Sequence, residues 1–190
     1  MSRTFYGKYR GIVSDIQDPL MQGRVKARVP AVLGDDESGW ALPCAPFGGS
    51  GVGFFALPTV GAGVWIEFEN GDPDYPIWTG AWWGSTAEIP SDLLAPPYKK
   101  VMLKTEGGHS IVLDDTPGIG GITLKTSGGQ KVAVTGTEVT IDNGMGASIT
   151  MQGPQITIKA TSIQLDTGAG GSVKLTGPQV SINDGALEVI

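Results

Sequence analysis

The stretch SITMQGPQITIKATSIQLDTGAGGSVKLTGPQVSI, from Ser148 to Ile182, alternates apolar and polar residues almost without a break. It also nearly repeats itself. TMQGPQITI at Thr150–Ile158 returns as KLTGPQVSI at Lys174–Ile182, 24 residues later. Alternation with a period of two residues is the signature of a strand with one buried face and one wet face. The repeat means that the same short strand is made again and again, as in a solenoid or fibre.

The pattern extends on both sides of this stretch. Apolar pairs at i and i+2 occur at Ile122/Leu124, Val132/Val134, Val139/Ile141, Ile149/Met151, Ile156/Ile158, Ile163/Leu165, Val173/Leu175, Val180/Ile182 and Leu187/Val189. From Ile149 the first members are spaced 7, 7, 10, 7 and 7 residues apart, and the longer step carries the inserted TGAGG at Thr167–Gly171. Neighbours such as Thr123, Thr140, Thr157, Lys159, Gln164, Asp166, Lys174 and Ser181 are expected to face water.

Two inward side chains per strand are too few for one chain to enclose a core. A single-chain parallel β-helix needs longer coils. Three identical chains wound together close the core, each supplying one side of a triangular prism. The expectation for residues 101–190 is therefore an intertwined triple-stranded β-helix, a trimeric β-prism in an obligate homotrimer. A hairpin, VMLKTEGGHSIVLDDT at Val101–Thr116, is expected to open it.

Residues 1–84 read as a separate unit. Strand candidates are Tyr9–Ile16, Gly23–Pro30, Trp40–Phe47, Gly63–Glu69 and Ile77–Trp83, split by the turn signals DPLMQG, LGDDESG, GGSGVG and NGDPDYP. Val25, Ala27 and Val29 alternate with Arg24, Lys26 and Arg28, as do Val64, Ile66 and Phe68 with Trp65, Glu67 and Glu69. Five short strands suit a small closed barrel, foremost an OB-fold, and closure removes exposed edges. The Pro-containing segment 85–100 is expected to be an extended linker, with a possible helical turn at Ser91–Leu94. The fold class is all-β.

Composition narrows the function. Net charge is −6, which argues against nucleic acid or an anionic membrane as main partner. One cysteine, Cys44, excludes an intrachain disulfide and is read as a small buried apolar residue. The opening MSRTFYGKYRG has no apolar core of signal-peptide length, so synthesis in the cytoplasm without a signal peptide is expected.

Catalytic and metal motifs do not emerge. The only histidine, His109, sits in a hairpin turn, and there is no G-x-S-x-G elbow for a Ser–His–Asp triad. GGSGVG at Gly48–Gly53 lacks the Lys-Ser/Thr of a phosphate loop. Asp35, Asp36 and Glu37, Asp72 and Asp74, and Asp114–Asp115 read as solvated turns without EF-hand spacing. No catalytic, cofactor or metal residue is assigned. Trp40, Trp65, Trp78, Trp82 and Trp83 with the basic row could suggest single-stranded nucleic acid on an OB-fold. Acidic turns flank that row, and core, trimer or hub contacts fit these residues better.

The segments YRGIVSDIQDPLMQGRVKARVP, PFGGSGVGFFALPTVGAGVWIEFENGDPDYPIWTGAWW and EGGHSIVLDDT…ITLKTSGGQ resemble the spike proteins of contractile injection systems. These include baseplate assembly protein V of phages, the puncturing spike of larger myophages and the VgrG proteins of type VI secretion. The resemblance spans nearly the whole chain. It implies an OB collar docked on a baseplate hub, with Arg24, Lys26 and Arg28 as the candidate hub-facing row. It implies a trimeric needle that crosses the target membrane by mechanical penetration. A tip protein of the Pro-Ala-Ala-Arg (PAAR) type is expected on Leu187, Glu188, Val189 and Ile190. The 190 residues leave no room for the fused hub or lysozyme domain of the larger spikes, and His109 lies far from any H-x-H iron site at a tip. A different class, a carbohydrate- or cell-surface-binding fibre with an OB collar, would need an exposed aromatic or acidic groove on the shaft. The chain from Pro117 onward has no Trp, Tyr or Phe. A cell-wall hydrolase would need a catalytic constellation.

Overall fold

The computed structural model of the chain describes residues 3–189. Two compact units divide between Ile89 and Pro90.

In the first unit the strands are β1 (Tyr9–Asp15), β2 (Lys26–Arg28), β3 (Leu42–Pro43), β4 (Gly48–Gly49), β5 (Val52–Gly53), β6 (Gly63–Phe68) and β7 (Pro76–Trp82). Five of them form one sheet in the order β2-β1-β6-β7-β3. All neighbours are antiparallel except β3 with β7. The ends of this sheet meet. Val25 and Ala41 exchange backbone hydrogen bonds of 3.2 and 2.8 Å, joining the β2 side to the β3 side. The result is a closed five-stranded Greek-key barrel with one parallel pair, the OB arrangement.

Alternation builds its core. Val25, Ala27 and Val29 from one strand region, and Val64, Ile66 and Phe68 from another, are buried together with Val13 and Ala41. Gly63 is required where β6 and β7 cross closely: a Cβ there would lie 2.7 Å from the Trp82 carbonyl oxygen. A short helix, α1 (Pro30–Leu33), packs Val32 and Leu33 against this core. Proline at the first helical position and Gly34 at the end delimit it. Sequence periodicity missed it because four residues carry too little of a 3.6-residue repeat.

Cys44 is exposed, contrary to the expectation of burial. Strand β3 is only two residues long, so Cys44 lies just beyond it, on the wall of a cavity of about 620 Å³ shared with Phe55, Leu57 and Trp78. Segment 85–100 holds two 3-10 turns, Thr86–Glu88 and Ser91–Leu93.

The second unit carries β8 (Lys100–Lys104), β9 (Ser110–Asp114), β10 (Gly121–Lys125), β11 (Lys131–Thr135), β12 (Glu138–Asp142), β13 (Ser148–Gln152), β14 (Gln155–Lys159), β15 (Ser162–Asp166), β16 (Ser172–Thr176), β17 (Gln179–Ile182) and β18 (Leu187–Val189). Strands β8 to β14 form a seven-stranded antiparallel meander, and β15 to β18 form a separate four-stranded one.

The 24-residue repeat is visible in its loops. At Asp142–Ala147 the Asn143 side-chain oxygen accepts from the N–H groups of Met145 and Ala147, at 2.8 and 3.0 Å. At Asp166–Gly171 the Thr167 hydroxyl accepts from Ala169 and Gly171, at 3.4 and 3.2 Å. Asp142 and Asp166 each accept from a glycine N–H at 2.7 Å. These acidic residues are thus loop caps, satisfied by backbone donors.

Candidate functional site

Register decides what the shaft sheet presents. Across β8 to β14 the directly opposed residues run Val101, Leu113, Ile122, Val134, Val139, Met151, Ile156. A second row runs Leu103, Ile111, Leu124, Val132, Ile141, Ile149, Ile158. Both rows lie on one face, because their members are two residues apart on every strand. The face is thus seven apolar side chains wide and two deep, fourteen in all. Its own chain does not cover it: Val132 is 40% exposed, Val134 45% and Ile141 48%. The four-stranded sheet repeats the design with Ile163, Leu175, Val180 and Val189 in one row and Leu165, Val173, Ile182 and Leu187 in the other.

The opposite face does not behave as the alternation implied. Thr140 and Ala133, paired across β11 and β12, are only 8% and 7% exposed. They are short and sit mid-strand among the longer Lys131, Glu138 and Asp142, and the Thr140 hydroxyl donates to Glu138. In the single chain the polar face is therefore better covered than the apolar one. An apolar face of this extent, without a covering layer, marks an interaction surface. Fully burying one aliphatic side chain is worth about 1.5–3 kcal/mol, so covering the exposed half of this face is worth on the order of 10 kcal/mol per chain.

Two family profiles match the chain. Residues 9–83 match the type VI secretion system/phage-baseplate injector OB domain. Residues 100–159 and 152–188 match the phage baseplate V C-terminal trimerisation domain. The chain belongs to the phage baseplate V and VgrG-like spike family. It is 40% identical over 89 residues to the actin cross-linking toxin VgrG1 of Vibrio cholerae, covering 44% of this chain and 8% of that protein. It is 38% identical over 89 residues to the type VI secretion system spike protein VgrG3 of Vibrio cholerae, covering 44% and 9%. It is 33% identical over 78 residues to the spike protein VgrG4b of Pseudomonas aeruginosa, covering 40% and 10%. The chain thus spans a tenth or less of the length of these curated relatives.

In this spike chain the collar's basic row has intramolecular partners. Arg24 is held by Asp18, whose two oxygens accept from the Leu20, Gln22 and Arg24 N–H groups at 3.0, 2.8 and 3.3 Å and from the Arg24 guanidinium at 3.0 and 2.5 Å. The Arg24 side-chain bond, aided by the backbone donors, holds the Asp18 carboxyl far below the usual carboxylate range, while burial opposes this. Arg24 and Lys26 lie over the Trp40 ring at 5.7 and 5.2 Å. Arg28 reaches Glu37 at 3.7 Å. Asp18 was not singled out from the sequence. Asp-Pro-Leu reads as a turn, and only the loop geometry brings Arg24 back onto it.

Leu187 and Val189, expected from the sequence to seat a tip protein, are exposed on β18, an outer strand of its sheet. Glu188 pairs with Ser181 through the backbone, and Ile190 lies outside the described residues. His109 sits in the β8–β9 turn, where its Nδ1 accepts from the Ser127 N–H at 3.4 Å.

Proposed function

We propose that three copies of this chain form the central spike of a contractile phage tail or a related injection machine. The bare apolar face of the shaft carries this reading, with the match to a trimerisation domain supporting it. Three such faces turned inward give each other the cover that one chain lacks. The resulting prism has its strength in continuous ladders, and its task is mechanical: to transmit thrust and pierce an envelope as the sheath contracts. No catalytic role is assigned to any residue. Light scattering on the purified full chain is expected to give about three times the 19.7 kDa chain mass. A monomer at micromolar concentration would sink the proposal.

The collar is the contact to the baseplate hub, through the face that carries Arg24, Lys26 and Arg28 beside Trp40. Arg24 is committed to Asp18 and acts there mainly as support, leaving Lys26 and Arg28 as the charges that meet an acidic surface. The β18 edge, with Leu187 and Val189, is the seat of a PAAR-type tip protein. Co-purification tests both contacts. Reversing Lys26 and Arg28 to glutamate is expected to release the hub and keep the tip protein. Leu187→Asp is expected to do the opposite. Binding unchanged in both variants would remove the assignments.

A further inference from the structure

Between Glu37 and Glu67 the collar carries no charge: the 29 residues 38–66 hold no Asp, Glu, Lys, Arg or His. In a chain that is 17% charged, no other charge-free run is as long. Part of the run is core, since Ala41, Val64 and Ile66 are buried. Its middle is surface. Phe47, Val52 and Phe55 are 60%, 65% and 73% exposed, and about half of Phe54 is open to solvent.

These residues belong to one lobe with a definite fold. Strands β4 and β5 pair as a hairpin, Gly48 opposite Gly53 and Gly49 opposite Val52. The Phe54 N–H donates to the Phe47 carbonyl oxygen at 3.1 Å. The Phe55 ring lies against Gly23, where a Cβ would come within 2.9 Å of it. Trp78 Nε1 donates to the Gly23 carbonyl oxygen at 3.1 Å. No charged residue lines the cavity of about 620 Å³ between this hairpin and the barrel. A fixed surface rich in Phe and free of charge has the composition of an interface core.

Symmetry selects what covers it. A group close to a threefold axis meets two copies of itself. A charge there meets two like charges, whereas an apolar side chain gains cover from its copies. A surface turned to the axis is therefore neutral and apolar. The shaft face obeys this rule, since neither of its rows holds a charged residue. In the collar the β4–β5 lobe meets the same condition. Other collar turns do not: Asp35 and Asp36 are exposed in one, Asp72 and Asp74 in another.

We propose that the β4–β5 lobe of each collar faces the threefold axis and packs against the same lobe of the other two copies. This rests on the homotrimer of the preceding section. A second copy is the fitting occupant because a lobe without charge is complementary to itself, and every copy carries it. Phe47, Val52, Phe54 and Phe55 are the side chains that the copies share.

A cysteine near a threefold axis lies close to its own copies, and one far from the axis does not. Cys44 is the only native cysteine and is first replaced by serine. In that background the assembled full chain carrying Val52→Cys is treated at low concentration with a short three-armed maleimide. Most chains are expected to run at three times the single-chain mass on a denaturing gel. Asp35→Cys, in a charged turn, is expected to stay at the single-chain mass. Ser50→Cys, a near-isosteric change at the exposed hairpin turn, repeats the measurement without touching the packing of Val52. A particle of trimeric mass by light scattering in which neither lobe cysteine joins three chains overturns this packing and leaves the trimer standing. Linking through Asp35→Cys as complete as through the lobe overturns it as well. A monomer by light scattering overturns both readings.

Discussion

Val134→Asp is expected to abolish assembly of the shaft while leaving the collar folded. Val134 lies on β11, the middle strand of the seven, and its opposed neighbours are Ile122 and Val139. Covering this face would strand one carboxylate per chain in an apolar layer with no cation on the same rows. The penalty for such an ion is several kcal/mol, and a trimer would incur it three times at one level of its axis. The matched control is Lys125→Glu, a change on the other face of β10. Lys125 is paired directly with Lys131, so the substitution relieves a like-charge pair and is expected to be tolerated. Two readouts separate the units. All five tryptophans, Trp40 to Trp83, lie in the collar, so their fluorescence follows that unit alone. Mass by light scattering follows assembly. Val134→Asp should keep the first signal and lose the second. Retention of the trimer would mean that this face is not the one the copies share.

Most of this surface could be read from residue order alone. The pairs at i and i+2 placed both apolar rows, because a strand has only two faces and the repeat left no freedom in register. The barrel was legible for the same reason: Val25, Ala27 and Val29 can reach one core only from an extended strand. Four features were not legible, each through a different physical cause. Cys44 has apolar neighbours but escapes burial because β3 stops at Pro43. The interruption after Lys159 leaves hydrophobic spacing unchanged: β14 and β15 keep the seven-residue step yet lie in separate sheets. The polar face was expected to be the wet one, but Thr140 and Ala133 are shielded by longer neighbours that a simple in-out alternation ignores. The Asp18–Arg24 pair is harder still. Its six-residue separation matches no helix or strand rule, and it exists because the loop between β1 and β2 curls around one carboxylate.

That loop yields the second large effect. Asp18→Asn is expected to lower the collar's melting temperature at neutral pH and to flatten its dependence on acid. Five donor contacts converge on the Asp18 carboxylate, three from backbone N–H groups and two from Arg24. An asparagine has one acceptor oxygen, and its amide nitrogen would face donors, so part of the set is left unpaired along with the Arg24 charge. The sign of the pH effect follows from the depressed Asp18 pKa. The folded collar holds this carboxylate ionised more strongly than the unfolded chain does. Its contribution is complete above the unfolded value of about 3.9 and is lost progressively as pH falls below it. Tryptophan-monitored melts of the native chain should therefore show a fall in stability from about pH 4 downward. In Asp18→Asn the melt should be lower at pH 7, by on the order of 10 °C for a unit of this size, with the acid-dependent fall reduced. Arg24→Gln should resemble it in stability, because it removes the same charge pair from the other side. If Arg24→Gln leaves the melt unchanged, Arg24 is not held by Asp18 and returns to the hub-facing row as a free charge. An acid limb that persists in that variant is then carried by the three backbone N–H groups on Asp18. Asp114, also lowered, first by its hydrogen bond with Thr116, lies in the shaft, which holds no tryptophan, so its titration does not enter these melts.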